Sequence, residues 1–118
     1  MSVFVLIKDD RGVWKRLCNA SARGSLGKFR EAFRGGKMVA LVEAESPIRA
    51  VERATTQRRP DRLLYRDPAK TAICAVVYGG AGLEAFEAYV DAIRNDAGDE
   101  PGAYAAIVTE SRIYRAEA

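Results

Sequence analysis

The amino-acid sequence predicts an α+β domain in which a largely antiparallel or mixed sheet packs with about three helices. Apolar runs of strand length alternate with segments whose apolar residues recur at helical spacing. Glycine, proline and aspartate cluster between these segments, as they do at turns. At 118 residues and 48% apolar composition, residues 1–118 are enough for one domain around one core. The predicted order of elements is ββ-α-β-α-ββ-α-ββ.

The first predicted elements are a hairpin and a helix. The strands Val3–Lys8 and Val13–Leu17 flank the turn sequence Asp-Asp-Arg-Gly. A helix then opens at Ser25, after which leucine and phenylalanine recur at helical spacing. The pair Gly35-Gly36 supplies its stop, because glycine readily adopts the conformation that ends a helix.

A buried strand and a shorter helix follow. The strand is Met38–Glu43, which is mostly apolar. Ser46 provides an N-cap for the helix, and Pro47 occupies its first turn. The apolar residues of this helix are Ile48, Val51 and Ala54. We expect the helix to end before Pro60, since proline cannot continue it.

The second half of the chain begins with another hairpin, which joins Arg62–Arg66 to Thr71–Tyr78. The clearest helix starts after Gly79-Gly80, because its apolar residues recur at i, i+3, i+7 and i+10 while acidic residues line another face. A polar loop follows. The segments Tyr104–Glu110 and Ile113–Ala116 are the last predicted strands.

Four of the predicted strand segments are continuously apolar, which is typical of strands covered on both faces. They are Val3–Ile7, Met38–Val42, Ala72–Val77 and Ala105–Val108. Three modest helices leave part of such a sheet uncovered, so the pattern predicts a homodimer that buries the remainder. The alternative is that the helices divide between both faces of the sheet in a single chain.

Composition excludes several kinds of catalytic site. The chain has no histidine, which excludes Ser-His-Asp and Cys-His catalysis and every metal site that uses imidazole. We interpret the acidic row Glu84, Glu87 and Asp91 as a solvated helix face, and expect no metal and no cofactor. Cys18 and Cys74 are too few for a disulfide framework. We expect both to be reduced, with Cys18 the more reactive because basic residues precede it.

The stretch between Ala22 and Phe29 resembles a phosphate-binding loop, because a glycine-lysine pair opens the predicted helix. It departs from that motif at two positions. Ala22 stands where the motif has glycine, and Phe29 stands where a hydroxyl would bind magnesium. We therefore expect no nucleotide hydrolysis.

The strongest functional signal is the distribution of charge. Residues 1–76 carry 16 basic and 8 acidic side chains, whereas residues 77–118 carry 3 basic and 8 acidic ones. The chain has more arginines than lysines, and a guanidinium binds phosphate or carboxylate bidentately. We therefore predict a non-enzymatic protein whose arginine-rich surface binds nucleic acid or an acidic protein. The predicted contact residues are Trp14, Arg16, Arg49, Arg53, Arg58, Arg59, Arg62, Tyr65 and Arg66.

Two alternatives remain open. An adaptor or inhibitor would bind a protein without contacting nucleic acid. A histidine-free ribonuclease would use Arg112, Tyr114 and Arg115 to stabilise a phosphorane and move a proton. The run Arg62–Arg66 resembles part of the RelE-type toxins, but those begin with a helical hairpin where this chain begins with predicted strands. The lack of an export signal and of a long apolar segment predicts a cytoplasmic protein without membrane contact.

Overall fold

The computed structural model describes residues 1–65, 73–96 and 114–115, which contain six strands and three helices. In chain order these are β1 (Ser2–Lys8), β2 (Trp14–Asn19), α1 (Ser25–Arg34), β3 (Val39–Ala44), α2 (Pro47–Thr56), β4 (Arg62–Tyr65), β5 (Ile73–Tyr78), α3 (Gly80–Asp96) and β6 (Tyr114–Arg115). The predicted α+β class is confirmed, and the order of elements matches the prediction as far as the described residues extend.

The predicted bounds of the hairpins and helices agree closely with the observed ones. Several predicted features fall wholly or partly outside the described residues, among them Arg66 and residues 71–72 of the second hairpin. The turn at 67–70 and the strand Tyr104–Glu110 lie outside them altogether. Of the predicted strand Ile113–Ala116, the structure describes Tyr114–Arg115, which forms β6.

The six strands form one mixed sheet in the order β2-β1-β3-β5-β4-β6. β3 and β5 pair in parallel, whereas the other neighbouring strands pair antiparallel. The parallel pair requires a crossover, which α2 and β4 provide. Its consequence is that β3 and β5 end at the same edge of the sheet, beside the start of α3.

The helices divide between the two faces of the sheet. Phe29 of α1 and Phe86 of α3 pack against one face, in a core that includes Val5 of β1. Ala50 of α2 packs against the other face, in a core that includes Phe4 of the same strand. Adjacent residues of a strand point to opposite faces, so a continuously apolar strand fills both cores. The described helices therefore cover both faces of the sheet within one chain, which is the alternative to the homodimer. The homodimer itself stays a prediction.

An irregularity interrupts the pairing of β1 with β2. The register passes from Val5 opposite Cys18 to Leu6 opposite Arg16, which leaves Leu17 as an extra residue in β2. As a result, both Leu17 and Cys18 contact the core under α1 and α3. Arg16 lies next to α2 on the opposite face. Because of this irregularity, the adjacent residues Arg16 and Leu17 lie on opposite faces of the sheet, while Leu17 and Cys18 lie on the same face.

Candidate binding surface

The second helix, α2, carries the start of the predicted arginine-rich surface. It packs across β2, β1 and β3. The Ser46 hydroxyl caps the helix by accepting a hydrogen bond from the backbone N–H of Arg49 at 3.2 Å. Ala50 and Ala54, one turn apart, form its buried face. Because alanine is small, the helix axis approaches the sheet closely and larger side chains project at its sides and outward.

Arg53 is held within the fold. Its Nη1 donates to the backbone carbonyl of Glu43 at 2.9 Å, and its Nε donates to Oε1 of Gln57 at 2.9 Å. The residue is half-buried. The first of these bonds fastens α2 to the end of β3, and the second holds the side chain against the C-cap residue of α2, so Arg53 has a structural use in addition to the predicted one.

A close junction forms where β3 and β5 end. The backbone N–H of Gly79 donates to Oδ2 of Asp61 at 2.6 Å, and the N–H of Asp61 donates to the carbonyl of Val77 at 2.7 Å. Gly79 has φ +90°, and a Cβ there would lie 2.6 Å from Oε1 of Glu43 and 3.2 Å from Nη1 of Arg53. Only glycine fits this position without displacement.

The same junction affects the neighbouring tyrosine. Burial raises the pKa of Tyr78, and the charge of Asp61 raises it further, while Arg53 acts in the opposite direction. A phenol whose pKa lies above its usual range is a poor general base at neutral pH. The bonds of Asp61 to Gly79 and Val77, and of Arg53 to Glu43, connect α2, β3 and β5 at this junction, which gives it a structural role.

Three predicted contact residues are exposed along and beyond α2: Arg49, Arg58 and Arg59. Arg49 pairs with Glu52 at 3.1 Å, and both side chains are more than half exposed. Such a pair contributes little to stability and is easily exchanged for a ligand. Gln57 donates from Nε2 to the carbonyl of Arg59 at 2.7 Å, which fixes the backbone that follows the helix.

The remaining arginines of the cluster lie on and after β4. Arg62 is half-buried, and its Nη1 donates to the carbonyl of Asp61 at 2.8 Å. Tyr65 is the last residue of β4, and its side chain, like the whole of Arg66, lies outside what the structure describes. The pairing of β4 with β6 places Arg62 opposite Arg115.

The alternative ribonuclease residues are therefore neighbours of the main cluster along the sheet. Tyr114 pairs with Leu63 in the same antiparallel ladder. Arg112 lies outside the described residues. The structure thus brings the backbone of two alternative residues beside β4 and leaves the side-chain chemistry of that set as a prediction.

Trp14 and Arg16 occupy different environments, although both belong to β2. Trp14 is 7% exposed and packs in the core under α2, with Nζ of Lys8 at 5.3 Å from its ring centre. Trp14 is one of the predicted contact residues, but at this burial its ring offers little surface to a partner. Arg16 is exposed and donates from Nη2 to Oδ1 of Asn19 at 2.9 Å.

The structure adds a recess that the sequence prediction missed. Its lining residues are Arg16 of β2 and, from α2, Pro47, Ile48 and Val51. The recess has a volume of about 330 Å³, and Ile48 is 78% exposed at its wall. The sequence did contain a signal for this recess. Ala50 and Ala54 are one helical turn apart and mark the buried face of α2, and Ile48 lies on a different side of the helix, which indicates that Ile48 is exposed.

Two further sequence predictions concern Cys18 and the loop before α1. Burial raises the pKa of the Cys18 thiol and outweighs the opposing charges of Lys28 and Arg16. The basic neighbours therefore do not lower this pKa as expected; the side chain of Cys74 lies outside what the structure describes, so which thiol is the more reactive stays a prediction. The hydroxyl of Ser25, the first residue of α1, donates to the carbonyl of Ala20 at 2.7 Å and so points into the fold.

In the part of the chain that the structure describes, no group of three cysteine, aspartate or glutamate residues is placed to hold a metal ion. Glu84, Glu87 and Asp91 are exposed on α3. None of the three described helices is both long enough and apolar enough to cross a membrane.

Comparison with protein-family models, with curated proteins and with solved structures finds no match to this chain. A proposal of function therefore depends on the residues of this chain.

Proposed function

We propose that this protein is a binding module that docks an acidic segment of another protein on the surface formed by α2 and β2. The observation that carries the proposal is the recess between these elements, where the exposed Ile48 lies beside Arg16. Protein interfaces typically combine an apolar anchor with arginines at its border, and truncation of such residues causes the largest losses of affinity.

The sign of the charge indicates the chemistry of the partner. Arg16 borders the recess, Arg49 lies on the adjoining turn of α2, and Arg58 and Arg59 follow the end of that helix. Glu52, which pairs with Arg49, is the acidic side chain among them, so the arginines remain in excess. An excess of exposed charge of one sign speeds association with an oppositely charged surface and disfavours partners of like charge. An acidic segment with apolar residues satisfies both the charge and the recess.

Nucleic acid is the second candidate, because Arg58 and Arg59 are exposed and a guanidinium binds phosphate well. Base stacking would add affinity for single strands, but Trp14 is buried in the core. The exposed apolar side chain of Ile48 also has no use in binding phosphates. These two observations favour the protein partner.

Selection of random linear 12-residue peptides displayed on phage, in the presence of excess tRNA, tests the proposal. We expect enriched peptides to be acidic and to contain apolar residues. Their dissociation constants, measured by fluorescence anisotropy, should rise between 50 and 200 mM salt, because salt screens exposed charges. Arg16→Glu should weaken binding by about tenfold or more. Arg23→Glu is the matched control, since Arg23 is exposed in the turn before α1, which packs on the other face.

A labelled 20-nucleotide single-stranded RNA serves as the competing probe. If four phosphates are contacted, log affinity should fall with log salt at a slope of roughly −3. RNA binding of that kind, flattened by Arg58→Ala with Arg59→Ala and accompanied by no peptide enrichment, would replace the proposed function with nucleic-acid binding. Cleavage of the RNA that is lost in Tyr114→Phe would instead support the ribonuclease alternative.

A further inference from the structure

The outer edge of β2 is the feature that specifies how a partner segment would bind. β2 is the first strand of the sheet and pairs with β1 on one side. No strand in the described residues lies on its other side. In an antiparallel pair, alternate residues direct their backbone N–H and C=O groups away from the neighbouring strand. β2 therefore presents a row of backbone donors and acceptors along its outer edge.

We propose that an extended acidic segment of a partner protein adds to the sheet as a further strand along this edge of β2. The inference rests on the proposed function and specifies its geometry. β2 has 6 residues. A matching segment therefore spans roughly 20 Å, at about 3.3 Å per residue. Main-chain hydrogen bonds would supply affinity that does not depend on sequence, and side-chain recesses would supply specificity.

Two recesses flank the edge, one on each face of the sheet. The first is the recess of about 330 Å³ between β2 and α2. The second, about 460 Å³, lies toward α1, where Ile7 and Leu17 provide apolar walls, Lys28 and Lys37 provide positive charge and Glu31 provides one negative charge. Side chains of an added strand alternate between faces. Apolar residues at one parity would enter the recess at α2, and residues at the other parity would meet α1.

The charges on the edge favour an acidic segment over a second copy of this chain. Lys15 and Arg16 are adjacent on β2 and both are exposed. Lys15 also lies 3.3 Å from Asp9, but its side chain is 64% exposed. Two β2 strands paired about a twofold axis centred near Lys15 and Arg16 would place these cations against each other, and like charges directly opposite are destabilising. Carboxylates on the added strand would pair with them instead.

The irregularity at Leu17 limits which segments fit. A bulge bends an edge strand and increases its twist, which discourages pairing with flat strands. Because Arg16 lies toward α2 while Leu17 contacts the core on the opposite face, the two recesses open at adjacent residues of β2. A short twisted segment can follow this edge, whereas a helix would reach only one recess.

The periodicity of selected peptides provides the first test. Strand addition predicts that apolar residues recur at i and i+2, and that acidic residues occur at either parity, beside Lys15 or beside Arg16. Synthetic variants of one enriched peptide, N-methylated at each position in turn, should lose binding at alternate positions, because every second N–H joins the ladder. Amide exchange of alternate β2 residues should slow when the peptide is bound.

Protein variants provide the second test. Arg16→Glu should weaken binding of the peptide by about tenfold, as expected for a charge in the contact. Arg23→Glu makes the same charge change in the turn before α1 and should change binding by only about twofold, through long-range attraction. Both side chains are exposed, so neither variant should alter the fold. Circular dichroism and the thermal midpoint check this point.

The outcomes separate the inference from the proposed function. Acidic peptides with apolar residues at i, i+3 and i+7, or with no dependence on N-methylation, would overturn strand addition and leave the proposed function in place. Loss of binding in Arg59→Glu but not in Arg16→Glu would place the partner away from the recess at α2 and so overturn strand addition and the proposed function together. Selection that yields no acidic peptide would overturn both. A dimer in light scattering that dissociates when Arg16 is changed to proline, with no peptide binding, would assign the edge to a second copy of the chain.

Discussion

Substitution of Gly79 by alanine tests the close junction at the ends of β3 and β5. The new Cβ would lie 2.6 Å from Oε1 and 2.7 Å from Cβ of Glu43, and the residue would have to keep φ +90°. The backbone conformation costs about 1–2 kcal/mol for an L-residue. Displacing the glutamate and the strand that carries it costs about 1–3 kcal/mol more, as for other overpacked sites. We expect the free energy of unfolding to fall by about 2–5 kcal/mol.

Two other glycines provide matched controls. Gly24 has φ +82° and no atom within 4 Å of a built Cβ, so Gly24→Ala should show the backbone cost alone, about 1–2 kcal/mol. Gly80 lacks positive φ and also has an open Cβ position. Gly80→Ala should therefore cost nothing, or stabilise by up to about 1 kcal/mol through the unfolded state.

Urea unfolding followed by circular dichroism measures all three variants. Adding Glu43→Ala to Gly79→Ala removes the carboxylate contact and leaves the Cβ contact, so it should recover part of the loss as a coupling energy. Equal losses in Gly79→Ala and Gly24→Ala would refute the reasoning, because the contact with Glu43 would then contribute nothing.

Three further predictions concern buried groups. Burial raises the pKa of Tyr78 and Tyr89. The folded state then holds protons that the unfolded chain loses near pH 10, so the contribution of these two tyrosines to stability should be constant below about pH 10 and fall above it. A urea midpoint unchanged between pH 8 and 11 would contradict this. In a Cys74→Ser background, Cys18 should react with a thiol reagent only as fast as the protein opens, because the thiol is buried and burial raises its pKa. Labelling at the rate of a free thiol would show that Cys18 is accessible. Arg53→Ala should lower the free energy of unfolding by about 1–3 kcal/mol through the lost bonds to Glu43 and Gln57. Arg49→Ala removes only an exposed ion pair and should lower it by less than about 1 kcal/mol. Equal effects of the two substitutions would contradict the structural role of Arg53.

Local sequence patterns determined the elements themselves. Ser46 and Pro47 define the start of α2, since an N-cap hydroxyl and a proline in the first turn act within a few residues of each other. The continuous apolar run of β1 likewise indicated cover on both faces. These signals depend on residues that are close in the sequence, so they can be recognised without knowledge of the fold.

The candidate surface depended on long-range packing, which the sequence does not encode locally. Trp14 and Arg16 are two residues apart, yet one ring is buried under α2 while the other side chain borders a recess. Arg49 and Arg53 are one turn apart on α2 and are equivalent in the sequence pattern. Only the structure shows that Arg53 reaches the carbonyl of Glu43, because α2 crosses the end of β3. The sequence by itself determined the class of the fold and the sign of its charge. The tertiary structure decided which arginines are used internally and left β2 at the edge, because burial and strand order depend on contacts between residues far apart in the chain.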